Sequence, residues 1–280
     1  MLKDGSMTFI VVLLFLLAVR YWWGELPSIA GSYPAKWFGW INSSLSGTAA
    51  YLASVVLPAL LLAWVSNGFE AILFGLPAFM LHLGVLLFVL HAPSPEMTFD
   101  ALQLQARQST TEDGLLADTQ GQTLRSLLSN LHQGFFVYIV WYLLLGPGGA
   151  LFCFLQRHHE RQEDHRAANP DSLGETAAMG AQAVSRWLVG LSIRVSLLLL
   201  ALVGRFRDGW PFFVASLKDW SIDEGDLLYA GVCLGLLPEV ERETELDSAT
   251  YLGWLQDYEG LISRLFFGWI GLAALLTLLS

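Results

Sequence analysis

Apolar residues in this chain fall into long runs rather than into the alternation of half-buried strands. Thr48–Ser66 and Gly68–His91 are two such runs, parted only by Asn67-Gly68; Phe135–Leu155 is a third and Gly260–Leu279 a fourth. The hydrocarbon core of a bilayer needs ~20 apolar residues per helix, so each run predicts a transmembrane helix. The short connection at 67–68 predicts an antiparallel hairpin over 48–91. Pro58 and Pro77 fall inside it, where a lipid-embedded helix tolerates proline once a neighbour satisfies the freed carbonyl. Pro93 and Pro95 end it.

Two further segments have a mixed pattern. Met7–Val19 is apolar but short, and Arg20, Tyr21, Trp22 and Trp23 follow at once, which suits a helix end at the headgroup level. Small residues around Ser28-Ile29-Ala30 fit a signal-peptide cleavage site. A leader in which Asp4 offsets Lys3, and the intervening Arg20, favour an uncleaved helix, tilted or partly inserted; Met7 is an alternative start. Segment 187–204 is apolar but carries Arg194, which leaves spanning and interfacial placements both open.

Between the runs, 92–134 is polar with recurrent leucines (Leu102, Leu104, Leu115, Leu116, Leu124, Leu127, Leu128), a pattern of short amphipathic helices outside the membrane. Residues 156–259 form a polar and interfacial region, in which Ser172-Leu173-Gly174-Glu175 fits a capping box and predicts a helix restarting there. No internal repeat is detectable. The pattern predicts an all-α, polytopic helical membrane protein, one domain over 1–280. It has four transmembrane helices, two segments of open depth (7–19 and 187–204) and amphipathic helices in the loops.

Composition extends the picture to the whole chain. Hydrophobic residues make up 54% and charged residues only 14%, against roughly a quarter charged in a soluble domain. The net charge of −10 argues against a nucleic-acid partner. Most of it sits in 205–259, where four basic residues face twelve acids, read here as solvated surface. Counting Lys and Arg does not settle orientation, although Arg157, Arg161 and Arg166 close behind a helix end point loop 156–186 to the cytoplasm. Cys153 and Cys233, both in apolar surroundings, read as small buried hydrophobes.

Little in the sequence looks like catalysis. Arg194 is the most informative residue, because an ionised group inside an apolar helix needs a partner or water. It either contacts an anion in a polar crevice or snorkels from an interfacial helix. Gly146-Pro147-Gly148-Gly149 lacks the Lys-Ser/Thr of a phosphate loop; it reads as a helix break that permits close packing, with exposed carbonyls as the functional alternative. His158, His159 and His165 lie among Arg157, Arg161 and Arg166, which would repel a cation, and read as a solvated helix end rather than a metal site. No catalytic set can be assembled, and no cofactor is implied.

Val140–Leu151 (VWYLLLGPGGAL) resembles the FWYLLLGPxGALLYRL span of AmpE inner-membrane proteins and of the related corrinoid-pathway synthases of the CobD/CbiB type. Arg194–Phe206 is similar to that family's ARLLALxxALxGDF segment, with the same interval from arginine to glycine, and 261–269 to its terminal LVxRxLxxWL helix. The hairpin at 48–91 falls where the family has one, so the resemblance covers roughly 48–280. There are departures. Val19-Arg20 lacks the acid that relatives carry beside this arginine, and Gly190 and Ser192 stand where the family has tryptophan and proline. The synthases' acidic ENxxDG element is replaced by Ser129-Asn130-Leu131-His132-Gln133-Gly134, which has no carboxylate for acid–base or metal–nucleotide work.

The resemblance implies a multi-pass protein of the bacterial inner membrane, a modulator linked to β-lactamase induction and cell-wall stress rather than an enzyme. The alternative it carries is an amide-forming corrinoid synthase. On this reading Arg194, the break at Gly146, Pro147 and Gly149, and Arg264 shape a crevice for a ligand or partner. A wall-derived fragment is the expected ligand, and an envelope signalling protein, beside the lipid bilayer, the expected partner.

Overall fold

The computed structural model describes residues 12–15, 17, 32–69, 76–90, 125–126, 128–167, 175–220, 223–236 and 248–279. All regular structure among them is helical. Residues 12–15 and 17 form a helical stretch whose Val12, Leu13 and Leu17 are buried. Helix α1 (Tyr33–Ser44) starts at a favourable Pro34. Then come α2 (Gly47–Phe69), α3 (Leu76–Val89), and a long helical stretch from 128 to 167 that is two helices, α4 (128–145) and α5 (147–167). Helices α6 (Glu175–Val203), α7 (Phe206–Ser216), α8 (Glu224–Leu236) and α9 (Ser248–Leu279) complete the chain.

By length and composition alone, three helical stretches among the described residues suit a membrane span, Gly47–Phe69, Leu128–Gln162 and Gln182–Val203, the second of them folded back on itself at Gly146. Four were expected. The run 68–91 is represented by the 14-residue α3, because 70–75 and 91 lie outside the described residues. The final run, 260–279, belongs to a longer helix that begins at Ser248. The polar segment 92–124 and the acidic run 239–247 also fall outside the description. Helix α6 is described from Glu175 onward; residues 172–174 of the predicted capping box lie outside the described residues.

Two expectations about breaks are corrected. Helix α2 runs straight through Asn67-Gly68 to Phe69, because a glycine with open space around it costs a lipid-facing helix little. And 135–155 is not one straight span. Gly146 has φ +70° and ψ −161°, a backbone conformation that side chains with a Cβ rarely adopt, and Pro147 follows with no N–H to continue the helix. The chain reverses there. In one straight helix Gln133 and Arg157 would stand about 36 Å apart; instead the Arg157 Nη1 donates to the Gln133 carbonyl at 2.8 Å. The rings of Tyr138 and Phe154 likewise meet at 6.0 Å. Helices α4 and α5 are therefore the limbs of a tight hairpin, with the GPGG turn as its tip and a polar mouth at Gln133, Gln156 and Arg157.

From that mouth to the tip is about 18 Å, short of a hydrocarbon core about 30 Å thick. Helix α2 packs along α5: Tyr51 donates to Gln156 Oε1 (2.7 Å) at the mouth, and Ala59 and Ala63 face Gly148 near the tip. A Cβ on Gly148 would lie 2.8 Å from Ala63 Cβ and 2.9 Å from the Ala59 carbonyl. Small residues at a four-residue spacing let the backbones approach, which is how helices gain dispersion energy where lipid is as apolar as leucine. The opposite face of α2 shows Leu57, Leu60, Leu61 and Trp64, all more than half exposed. Leu144 and Leu145 at the hairpin tip are likewise exposed, as lipid-facing residues are. Pro58 leaves the Ser54 carbonyl without its usual donor four residues on, and Trp37 Nε1 from α1 donates to that carbonyl at 3.1 Å.

Helix α7 runs back along α6, with Gly209 against Ala201 and Ser216 against Arg194. Helix α8 then returns, Gly231 packing on Leu197. Phe135, Phe136, Phe266 and Trp269 form an aromatic cluster joining the hairpin to α9.

Candidate functional site

A polar cavity of about 650 Å³ lies beside the hairpin mouth, walled by α5, α6, the turn after α7 and the start of α8. Its lining includes Arg157, Glu160, Arg161, Arg186, Arg194, Trp220 and Asp223. Among the described lining residues are four arginines and two carboxylates.

Buried Arg157 is held by oxygens that carry no net charge. Arg157 grips Gln133 twice, Nη1 on the carbonyl at 2.8 Å and Nη2 on Oε1 at 2.7 Å. Gln133 lies in a π-turn, His132–Phe136; such turns leave main-chain carbonyls short of their i+4 donors and recur at functional sites. Arg194, 5% exposed, donates Nε to the Ser216 carbonyl (3.0 Å), Nη1 to the Gly190 carbonyl (2.9 Å) and Nη2 to the Asp219 carbonyl (2.8 Å). It is not a snorkelling side chain. It ties the end of α7 to α6, with its guanidinium 3.6 Å from the Trp220 ring centre, and Trp220 leans on Trp187 at 4.5 Å. Gly190 makes room for this arrangement: a Cβ there would meet the Trp220 ring at 3.0 Å and Arg194 Nη1 at 3.2 Å.

The carboxylates are engaged. Glu160 accepts a hydrogen bond from Ser185 across α5 and α6. Asp223 Oδ2 accepts from the Gly225 N–H at 3.0 Å and the Asp226 N–H at 3.4 Å, so its charge caps the N-terminus of α8.

Behind the cavity wall, His132 Nε2 lies 2.9 Å from Ser192 Oγ. Ser192 gives its only proton to the Val189 carbonyl at 2.7 Å, so the imidazole donates through Nε2. This pair couples the π-turn to α6.

No protein-family model, no curated protein and no solved structure matches this chain.

The structure separates the residues expected to share a crevice. Arg194 lines the cavity. Gly146, Pro147 and Gly149 make the hairpin tip, at the far end of α5, and are packing and turn residues. Arg264 is exposed on α9, where Nε donates to the Gly260 carbonyl one turn back (3.2 Å). The histidines are also corrected. His159 is buried between Phe38 (5.9 Å) and Tyr51 (5.3 Å), and His158 stacks on Phe38 and Phe154. Helix α1 covers this end of α5 with aromatic rings, which a local reading of the charged run does not foresee. His165 has no described side chain. Among the described residues no three His, Cys, Asp or Glu side chains come together as a metal site.

Missed by the sequence reading were Arg186, Glu160, Ser185, Gln182 and Trp220. A signal existed: Gln182, Arg186, Gly190 and Arg194 recur every four residues, as do Arg157 and Arg161, and such spacing puts each set on one helix face.

Proposed function

We propose that this chain is an AmpE-like protein of the bacterial inner membrane. On this reading it is a non-catalytic regulator linked to β-lactamase induction and cell-wall stress, acting by holding a small anionic ligand in the arginine-lined cavity. One observation carries the reading. The two stretches at which the resemblance places its arginine and its loop element, around Arg194 and at 129–134, meet at the same cavity through Arg194 and Gln133. The departures also fit together there. Gly190 leaves the space that the Trp220 indole fills, and Ser192 receives His132.

Regulation is favoured over amide synthesis because the cavity carboxylates Glu160 and Asp223 are already bonded to Ser185 and to the α8 N-terminus. A synthase needs such a group available for acid–base or metal–nucleotide work. A wall-derived fragment bearing anionic groups is the ligand proposed, with an envelope signalling protein as the partner that reads its occupancy. The test is β-lactamase induction in a strain deleted for this gene. Induction should change on deletion and return with the wild-type gene; an unchanged ratio sinks the regulatory role.

A further inference from the structure

We propose that a second, small cavity, between α4, α6, α8 and α9, binds one water molecule that bridges His132 Nδ1 to Ser196 Oγ and ties the π-turn to α6. This site lies apart from the arginine-lined cavity, and the proposal holds whatever that larger cavity binds.

Orphaned polar atoms mark the place. Among the described residues four buried side-chain atoms have no hydrogen-bond partner: Asn42 Nδ2, His132 Nδ1, Ser196 Oγ and Trp269 Nε1. Two of them, those of His132 and Ser196, belong to residues that line one cavity. His132 is 1% exposed and Ser196 0%, so neither reaches bulk solvent. A buried polar atom left unpaired costs its whole desolvation, and nearly all such atoms in folded proteins find a partner in protein or in ordered water. Ser192 turns its hydroxyl back onto the Val189 carbonyl within α6, as serines inside helices do. Ser196 makes no such bond, and its hydroxyl is left for the cavity.

Size and proton placement identify the occupant. The cavity offers about 10 Å³, which suits a single water, since one needs roughly 10–15 Å³. Ser192 spends its proton on Val189, so His132 Nε2 is the donor to Ser192 Oγ. A neutral imidazole then presents a lone pair at Nδ1, and the surrounding Leu131, Leu228, Val232 and Ile262 disfavour a second, charging proton. The occupant must donate to that lone pair and pair with a hydroxyl that both donates and accepts. Water meets both demands, and two partners lie within the range that holds buried waters. An anion would face the lone pair, and a cation would sit among apolar walls.

The bridge has a consequence for the larger cavity. His132 and Gln133 open the π-turn, and Gln133 holds Arg157 through two hydrogen bonds. A water fixing His132 to α6 on its second nitrogen therefore acts as a positioning element for Arg157.

The experiment uses the full chain, isotope-labelled in phosphatidylcholine bilayers, with His132 assigned through the Gln133 backbone amide. Water-edited solid-state NMR should show Nδ1 as an unprotonated nitrogen that takes up polarisation from bound water, and Ser196→Ala should abolish that uptake. Stability gives an independent sign. If water bridges the two residues, Ser196→Ala strips the water and leaves His132 Nδ1 unpaired, so the unfolded fraction in detergent should rise about tenfold. If the cavity is dry, the same change removes an unpaired hydroxyl and leaves stability unchanged or raised. The proposal is overturned by an unhydrated Nδ1 in wild type, by water uptake that survives Ser196→Ala, or by a Ser196→Ala chain at least as stable as wild type. Should Ser196→Ala fail to fold, the wild-type spectrum decides alone.

Discussion

The guanidinium of Arg194 lies 3.6 Å from the ring centre of Trp220, 26 positions further along the chain, while its N–H groups hold the carbonyls of Ser216, Gly190 and Asp219. One side chain therefore closes the turn between α7 and α8 and forms a wall of the cavity. Lysine cannot do both, since an ammonium is a point charge without the planar fork. Arg194→Lys should cost about 3 kcal/mol, because hydrogen bonds to charged groups contribute about 1.5–3 kcal/mol each. Thermal unfolding in detergent measures it, with faster amide exchange at 206–220. A variant as stable as wild type would contradict the clamp.

Trp37 and Pro58 make a second linked pair. The indole donates to the Ser54 carbonyl that Pro58 cannot serve, so Trp37→Phe should cost about 1 kcal/mol beyond lost packing. In a Pro58→Ala background the helix supplies its own donor and that increment should vanish. A double-mutant cycle with no coupling would show that the indole bond is incidental.

At the hairpin tip, two glycines have different reasons to be glycine. Gly146→Ala should destabilise by about 1–3 kcal/mol through its positive φ alone, whatever its neighbours. Gly148→Ala is a packing change: the new Cβ meets Ala63 and the Ala59 carbonyl. Adding Ala63→Gly should restore part of the loss for Gly148→Ala and none for Gly146→Ala, as read by unfolding temperature.

The reversal at Gly146 makes a topological prediction. Asn130 and Arg161 are both exposed near the hairpin mouth. In a background of Cys153→Ala and Cys233→Ala, single cysteines at these positions should react with a membrane-impermeant maleimide from the same side. A straight span through 135–155 requires opposite sides.

Much of this was visible in the residues. Long apolar runs implied helices, and a charged Arg194 inside an apolar helix pointed either to a polar crevice or to an interfacial placement. What was not visible depends on tertiary placement. Gly-Pro signals a break, but whether the helix kinks or reverses is decided by φ at Gly146 and by α2 packing on Gly148. The run QRHHERQEDHR looks solvated until α1 brings Phe38 over His158 and His159. Trp220 sits in a polar stretch, and its role appears only when α7 has run back along α6. The four-residue recurrence from Gln182 to Arg194 was legible; it marks a face, and the arginines of α5 opposite it make that face a site.

The most direct test of the account is β-lactamase induction in a deletion strain complemented with Arg161→Gln/Arg186→Gln at wild-type protein level. These side chains line the cavity and hold no described element together, so folding and insertion should be unaffected. The account predicts that the double variant fails to restore the induction ratio while Arg264→Gln restores it fully. Full restoration by the double variant would contradict a regulatory role for the cavity.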